Sequence, residues 1–358
     1  MKRIILTGGG TAGHVTPHLA LLPTLSARGF DLHYVGQAAG IEQHLIAPAG
    51  IPFYGIRAGK LRRYFDVKNF RDLLLLGAGF VQSLLLVRKL RPHIVFSKGG
   101  YVACPVVWAA WLQRVPVIIH ESDLTPGLAN QLSMPFAAHI CFSFPETAAQ
   151  LPKGKSTQTG IPIRAALLAG KAEEGRTLCG FTEAKPVVLM IGGSQGAEAI
   201  NQAIRAGLPE LLQTFQVCHL CGPGKMRADF AAMPGYVQWE YVTDELPHLL
   251  ALADVVVSRA GATTLFELLA LQKPHLLIPL SRRASRGDQL LNAQAFAQQG
   301  FSDVLPEEQL TAATLLAGIT RVYAGRPARM AAMRAAAAVN GVENVLAVIE
   351  RYCLPQDR

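Results

Sequence analysis

The chain has 358 residues, half of them hydrophobic and 16% charged, with a net charge of +9 and a pI near 9.4. That much apolar material excludes a disordered chain and fits two domains of ordinary size. The basic balance points to anionic partners: phosphorylated small molecules, an anionic membrane surface or nucleic acid.

The opening MKRIILTG is basic, but its apolar run stops at a glycine, which argues against a cleaved leader. RIILT (3–7) reads as a strand, GGGTAGHVTP (8–17) as a flexible turn, and PHLALLPTLSARG (17–29) as a helix with a glycine stop. LHYVG (32–36) is the next strand, IEQHLIAPAG (41–50) a helix, and HIVFS (93–97) a strand. Between them LLLLGAGFVQSLLLV (73–87) is the greasiest stretch. It is shorter than the ~20 residues of a membrane-spanning helix, and Gln82 and Ser83 interrupt it. VPVIIH (115–120) and HICFS (139–143) complete the first set of strands. All are continuous apolar runs, which marks a parallel sheet covered by helices on both faces.

TGIPIR (159–164) reads as the linker, with Pro162 interrupting any element. The pattern then restarts with strand, glycine turn and helix in KPVVLMIGGSQGAEAINQAI (185–204). FQVCHL, YVQWEYV, DVVVS and HLLIPL follow as strands, and MAAMRAAAAV (330–339) and VLAVIERYCL (345–354) as helices. The fold class is therefore α/β, two doubly wound Rossmann-like halves, each with a glycine-rich first turn. Six cysteines are scattered, and Cys218 and Cys221 are the only CxxC pair. They sit in an apparent buried strand with no second Cys/His pair at ligand spacing, so they read as structural residues of a reducing cytosol.

A glycine turn that opens a helix exposes backbone N–H groups where the helix dipole also favours negative charge. Gly8, Gly10 and Gly13 satisfy the dinucleotide spacing, but the second strand ends at Gly36 and Gln37, with no carboxylate for a ribose. A nicotinamide oxidoreductase is disfavoured on that ground. Two glycine turns in matching positions favour a ligand cleft between the halves over tight packing alone. His14, at the end of the first turn, has a side chain able to take a proton near neutral pH. Glu267 lies one helical turn beyond Thr263, where it could offset a dipole or grip ribose hydroxyls. Arg282, Arg283, Arg286, Asp288, Gln289 and Asn292 form a polar set suited to the hydroxyls of a sugar. No Asp-x-Asp occurs, so a donor diphosphate would be met by helix N-termini and arginine and not through a metal ion.

Seven blocks in order, GGGTAGHVTP, SKGGYVACP, IIHESDLTPGLAN, TGIPIR, IGGSQGA, SRAGATTLFELLA and SRGDQLLNA, resemble the MurG family of bacterial peptidoglycan glycosyltransferases nearly end to end. The resemblance implies the GT-B architecture, with an acceptor-side domain 1–163, a donor-binding domain 164–340, and a C-terminal helix 341–358 packed back on the first. It implies inverting transfer of GlcNAc from UDP-GlcNAc to the C4 hydroxyl of undecaprenyl-linked lipid I, with no cofactor and no metal. Carried over by position, His14 is the general base, and Thr11, Ala12 and Gly13 approach the sugar and acceptor. Arg164 pairs with a donor phosphate, and Ser194 and Gln195 lie at the diphosphate. Val242 or Thr243 offers backbone groups to the uracil, Glu267 binds the ribose, and Gln289 the sugar hydroxyls. Four positions depart from the family pattern. Ala12 replaces a glycine, Asp123 and Ile161 each replace an asparagine, and Asp288 replaces a glutamine, changes that bear on fine substrate preference.

A lipid acceptor requires contact with the cytoplasmic face of the cell membrane. Lys60, Arg62, Arg63, Tyr64 and Phe65 combine charge and apolar bulk in the way that suits anionic lipid. A sister transferase with another lipid acceptor and a non-catalytic membrane-attached binding protein are the remaining alternatives. Nucleic acid is not an expected partner, since no basic stripe with interleaved aromatics occurs.

Overall fold

A computed structural model describes residues 1–59, 68–182, 185–193, 195–282, 285–336 and 340–353. The chain divides into two compact units, Met1–Arg164 with Val339–Arg358, and Ala165–Ala338.

The first unit carries seven parallel strands: β1 (Lys2–Thr7), β2 (Phe30–Gln37), β3 (Phe53–Ile56), β4 (Ile94–Ser97), β5 (Val117–Glu121), β6 (His139–Phe142) and β7 (Ser156–Gln158). Their order across the sheet is β3-β2-β1-β4-β5-β6-β7. Successive side chains of β1 enter opposite cores, because strand side chains alternate faces. Ile4 and Leu6 pack with α1 (Thr16–Ala27), while Ile5 packs with α3 (Lys68–Leu90) and α4 (Ala103–Leu112). Both faces are covered, which is why the run RIILT does not alternate.

The helix Gly341–Tyr352 belongs to this unit. Its Val342, Val345, Leu346 and Ile349 enter the core that holds α1. Asn340 caps it by accepting from the Val342 amide at 3.1 Å. Arg28, capping the C-terminus of α1, holds its outer face through Glu343 and through Glu350 at 2.9 Å. The Gly341 amide donates to the Ile161 carbonyl at 3.1 Å, and Asn344 donates to the Thr159 carbonyl at 3.2 Å. Ile161 is fully buried beneath this crossing.

The second unit has six parallel strands: β8 (Val187–Ile191), β9 (Gln216–Leu220), β10 (Tyr236–Trp239), β11 (Val255–Ser258), β12 (His275–Leu277) and β13 (Ser302–Val304). Their order is β10-β9-β8-β11-β12-β13. FQVCHL becomes the wholly buried β9, but YVQWEYV pairs only as far as Trp239. Three edge or near-edge strands, β3, β7 and β13, have no counterpart in the sequence reading. Among the described residues no helix is long and apolar enough to cross a membrane.

Candidate active site

In each sheet the strand order reverses once, between β1 and β4 and between β8 and β11. Open α/β sheets bind ligands at that point, beyond the carboxyl ends of the strands. Both glycine turns follow a strand that flanks it.

In the first unit the Thr7↔Ser97 register sets Gly8 beside Lys98, and the Lys98 amide extends the ladder by donating to the Thr7 carbonyl at 2.9 Å. Gly10 and Gly100 have φ of +86° and +81°, and a Cβ on Gly100 would lie 2.2 Å from the Gly9 carbonyl. Two backbones thus cross where no side chain fits. The turn closes in a short 3-10 segment, Ala12–His14, before α1, whose first turn holds Pro17. His14 is half-buried, and its Nδ1 lies 2.9 Å from the Thr11 hydroxyl.

Buried polar side chains back this turn. Glu42, in the helix α2 (Ile41–Ile46), is fully buried and accepts from the Gln37 amide at 2.8 Å and the Gly10 amide at 3.4 Å. The Tyr34 hydroxyl donates to the Gly8 carbonyl at 2.8 Å and lies 3.2 Å from His18 Nδ1. His18 is held well below its ordinary pKa, by burial first and then by the charge of Lys98.

Lys98 is itself buried. Its Nζ lies 2.7 Å from His120 Nδ1 and donates to Ser122 Oγ. His120 Nε2 meets the Gly160 carbonyl at 2.8 Å; it must donate there, so Nδ1 is the acceptor for Lys98. Burial brings Lys98 down to about 7, against the opposing charges of Glu121 and Asp123. Glu121 accepts from the amides of Asp123 and Gly127, each at 2.9 Å, and from Asn130 at 2.8 Å. It ties the turn between β5 and α5 (Leu128–Ser133) from beneath. Burial and the Asp123 charge raise its pKa. Asp123 is half-buried on that turn.

In the second unit the turn after β8 packs on backbone. A Cβ on Gly196 (φ +69°) would lie 2.1 Å from the Cys221 carbonyl, and one on Gly192 would lie 2.5 Å from the Ala197 amide. The helix Glu198–Ala206 follows, with Ala197 at its N-cap and no side chain capping it. Gln195 is exposed, and its carbonyl accepts from Lys225 Nζ at 2.8 Å. Ser194 lies outside the described residues. Asn201, His219 and Tyr236 form a buried chain of 2.9 Å contacts behind the turn, and burial brings His219 down to about 3.

The residues that the resemblance directs to the ribose and sugar follow β11 and β12, next to the second strand-order reversal. Glu267 is half-buried on the helix Ala262–Ala270 that follows β11. Gln289 is fixed by the Leu280 amide, which donates to its Oε1 at 3.1 Å. Asp288 opens the helix Asp288–Gln298, 3.4 Å from Arg286 Nε. Arg282 and Arg286 are exposed, while Arg283 lies outside the described residues. Asn292 departs from the sequence expectation: it is fully buried and donates to the Ala260 carbonyl at 3.3 Å, so it ties its helix to the loop after β11. Val242 is buried three residues past β10; the Thr243 amide is taken by Glu245 at 3.0 Å. Half-buried Arg164 ends the first of the two segments that make up the first unit. Cys218 and Cys221 are buried, and Cys221 Sγ lies 3.2 Å from the Trp239 carbonyl. Among the described residues no three His, Cys, Asp or Glu side chains come together as a metal site.

A separate apolar groove of about 570 Å³ runs between α3, α4 and the segment Met134–Phe136. Trp108, Trp111, Phe80 and Phe136 line it, and Trp111 and Leu112 are more than half exposed. Lys60, Arg62, Arg63, Tyr64 and Phe65, which the sequence marks as membrane-facing, lie outside the described residues.

Sequence reasoning missed Glu42, Lys98 and His120. The lysine in SKGGY and the histidine in IIHES were visible as charged or titratable residues at strand ends. Glu42, inside a helix, carried no signal.

The Glycosyltransferase family 28 N-terminal domain matches residues 4–142 and the Glycosyltransferase family 28 C-terminal domain residues 187–348. A UDP-N-acetylglucosamine–N-acetylmuramyl-(pentapeptide) pyrophosphoryl-undecaprenol N-acetylglucosamine transferase of Lachnoclostridium phytofermentans is 52% identical, covering 99% of this chain and all of the relative. The protein of the same name from Geobacillus kaustophilus is 51% identical, covering 98% of each. The crystal structure of Acinetobacter baumannii MurG superposes with a TM-score of 0.74 at 24% identity, covering 98% of this chain and all of that one. A UDP-GlcNAc 2-epimerase from Neisseria meningitidis shares the fold with a TM-score of 0.69 at 12% identity, covering 99% of this chain and all of that one. On the family matches and on near-complete coverage at half identity, the chain belongs to glycosyltransferase family 28 and, within it, to the MurG N-acetylglucosaminyltransferases.

Proposed function

We propose that the chain transfers GlcNAc from UDP-GlcNAc to the C4 hydroxyl of undecaprenyl-pyrophosphoryl-MurNAc-pentapeptide, converting lipid I to lipid II. The observation that carries the reading is a histidine-bearing glycine turn after β1 in the first unit and, in the second, Glu267 after β11 and Gln289 after β12. It is found in a chain that matches named transferases end to end.

The acceptor oxygen attacks the anomeric carbon from the face opposite UDP. A C–O bond to the acceptor forms as the C–O bond to the diphosphate breaks, and configuration inverts. The His14 imidazole takes the hydroxyl proton, its ring held by Thr11. Thr11, Ala12 and Gly13 line the reacting sugar, with Asp123 beside it. Arg164 and the amides of the turn holding Ser194 and Gln195 offset charge on the departing UDP. The Val242 backbone meets the uracil, Glu267 the ribose hydroxyls, and Asp288 and Gln289 the GlcNAc hydroxyls. Thr243 keeps no amide for the base, since Glu245 occupies it.

The groove of Trp108, Trp111 and Phe136, with basic Arg88, Lys89, Arg91 and Arg114 nearby in sequence, is the described part of a peripheral membrane face on the cytoplasmic side. Amphipathic aromatics beside cations suit an anionic lipid surface.

Incubation with labelled UDP-GlcNAc and a lipid I analogue tests the reading, with UDP-GalNAc as control. Label should move to the lipid, and UDP should appear in equal amount. Transfer from UDP-GalNAc at the same rate, or to unrelated lipids in preference, would overturn it. Sedimentation with phosphatidylglycerol vesicles tests the membrane face. Trp111→Ser should release the protein, and binding indifferent to that change and to salt would exclude the groove.

A further inference from the structure

A buried ammonium is costly, because burial removes its hydration. Lys98 carries that cost in the first unit, one residue beyond β4 and beside Gly8. Its Nζ does not turn back to solvent. It crosses to the end of β5, where His120 Nδ1 and Ser122 Oγ receive it. His120 is fixed in one tautomer by the Gly160 carbonyl and stays neutral, so it serves as a hydrogen-bond acceptor and not as a second cation.

Ser122 is the first residue of the turn that carries Asp123. Two buried groups therefore hold this turn from inside. Glu121 accepts from its backbone at Asp123 and Gly127, and Lys98 donates to its side chain at Ser122. The titratable groups around Lys98 are His18 from α1, His120, Glu121 and Asp123 from β5 and the turn, and Cys141 from β6. Of these, the carboxylates favour the charged lysine. Burial holds His18 and His120 neutral, and it pushes the Cys141 thiol up to about 12.

We propose that Lys98 is a positioning residue for glycosyl transfer: its ammonium fixes Ser122 and balances the carboxylate of Asp123, holding the β5–α5 turn in the arrangement that meets the transferred sugar. The assignment rests on the reading of that turn as part of the sugar site. It also accounts for a carboxylate where the family pattern has an amide, because the compensating charge lies directly beneath the turn. Lys98 titrates at about 7, so the balance holds at lower pH and is lost as pH rises. Removing the Asp123 charge removes an attraction that favours the ammonium, so Asp123→Asn should lower that midpoint.

The experiment combines a titration with a charge cycle on the full chain. The ¹³Cε shifts of labelled lysines should show one lysine titrating near 7. Its signal should vanish in Lys98→Met, and its midpoint should fall by at least half a unit in Asp123→Asn. In transfer assays kcat/KM should decline above that midpoint. Lys98→Met should lose at least tenfold in kcat/KM while UDP affinity, measured by calorimetry, stays within twofold. Lys98→Met with Asp123→Asn should recover at least threefold in kcat/KM over Lys98→Met alone and lose the alkaline decline. A lysine titrating at its ordinary value, or a double variant no better than Lys98→Met, overturns the proposal. Should Lys98→Met fail to fold, an Asp123→Asn profile with an unmoved midpoint overturns it equally. A parent enzyme that transfers to no acceptor would sink the functional reading alone, since the lysine titration still decides the Lys98–Asp123 pair.

Discussion

The two glycine turns hold equivalent places in their sheets and are backed by opposite means. Behind the first lie buried charged and titratable side chains, Glu42, His18 and Lys98, which contact the turn or the strand end beside it. Behind the second lies backbone, the Cys221 carbonyl and Gly222, with a neutral Asn201–His219–Tyr236 chain beneath. The difference matches the two tasks of the proposed reaction. A turn that handles a proton and a nucleophile gains from tunable groups in a low dielectric. A turn that cradles a diphosphate needs closely approaching amides and little else.

The largest expected effect separates the two at the chemical step. His14→Ala should lower kcat by about 10²–10⁴, the usual worth of a general base, while UDP binding stays within twofold. Equal turnover would remove the base role. Next comes the second turn. Gly196→Ala forces a Cβ onto a backbone carbonyl at a positive φ, where neither partner yields. UDP affinity should fall at least tenfold, and unchanged affinity would show that this turn does not shape the donor site.

A smaller effect concerns acid. Burial holds His18 and His120 in the first unit, and His219 and His275 in the second, below their unfolded value of 6.5. The folded state refuses protons that the unfolded chain accepts. The stability these groups contribute is therefore present above 6.5 and lost as pH falls toward the folded values. Tm should fall steadily from pH 7 to pH 5. A Tm constant over that range would mean that the rings are hydrated or paired in solution. Lys98 contributes in the alkaline window with the same sign of slope: the unfolded lysine stays protonated between about 7 and 10.5 while the folded one does not, so stability rises there.

Much of this was legible in the residues. Continuous apolar runs such as RIILT, VVLMI and DVVVS can only be strands buried on both faces, and each became a central parallel strand. The glycine turns were legible because positive φ and close approach leave few other choices. The short strands β3, β7 and β13 were not, because FYGI, STQ and SDV lie at or near sheet edges and carry too little apolar pattern to stand out.

The sequence by itself determined the fold class, the division into two halves and the loops where chemistry gathers, since local periodicity and backbone freedom are properties of neighbouring residues. Only the tertiary structure decided what those loops rest on. Lys98, His120 and Glu121 come together at the ends of β4 and β5 by strand order, and burial, not proximity in sequence, shifts the charge each one carries, while Glu42 of α2 backs the turn after β1. The same rule explains Asn292: a side chain that read as a site residue in a string is an internal tie once its helix is packed.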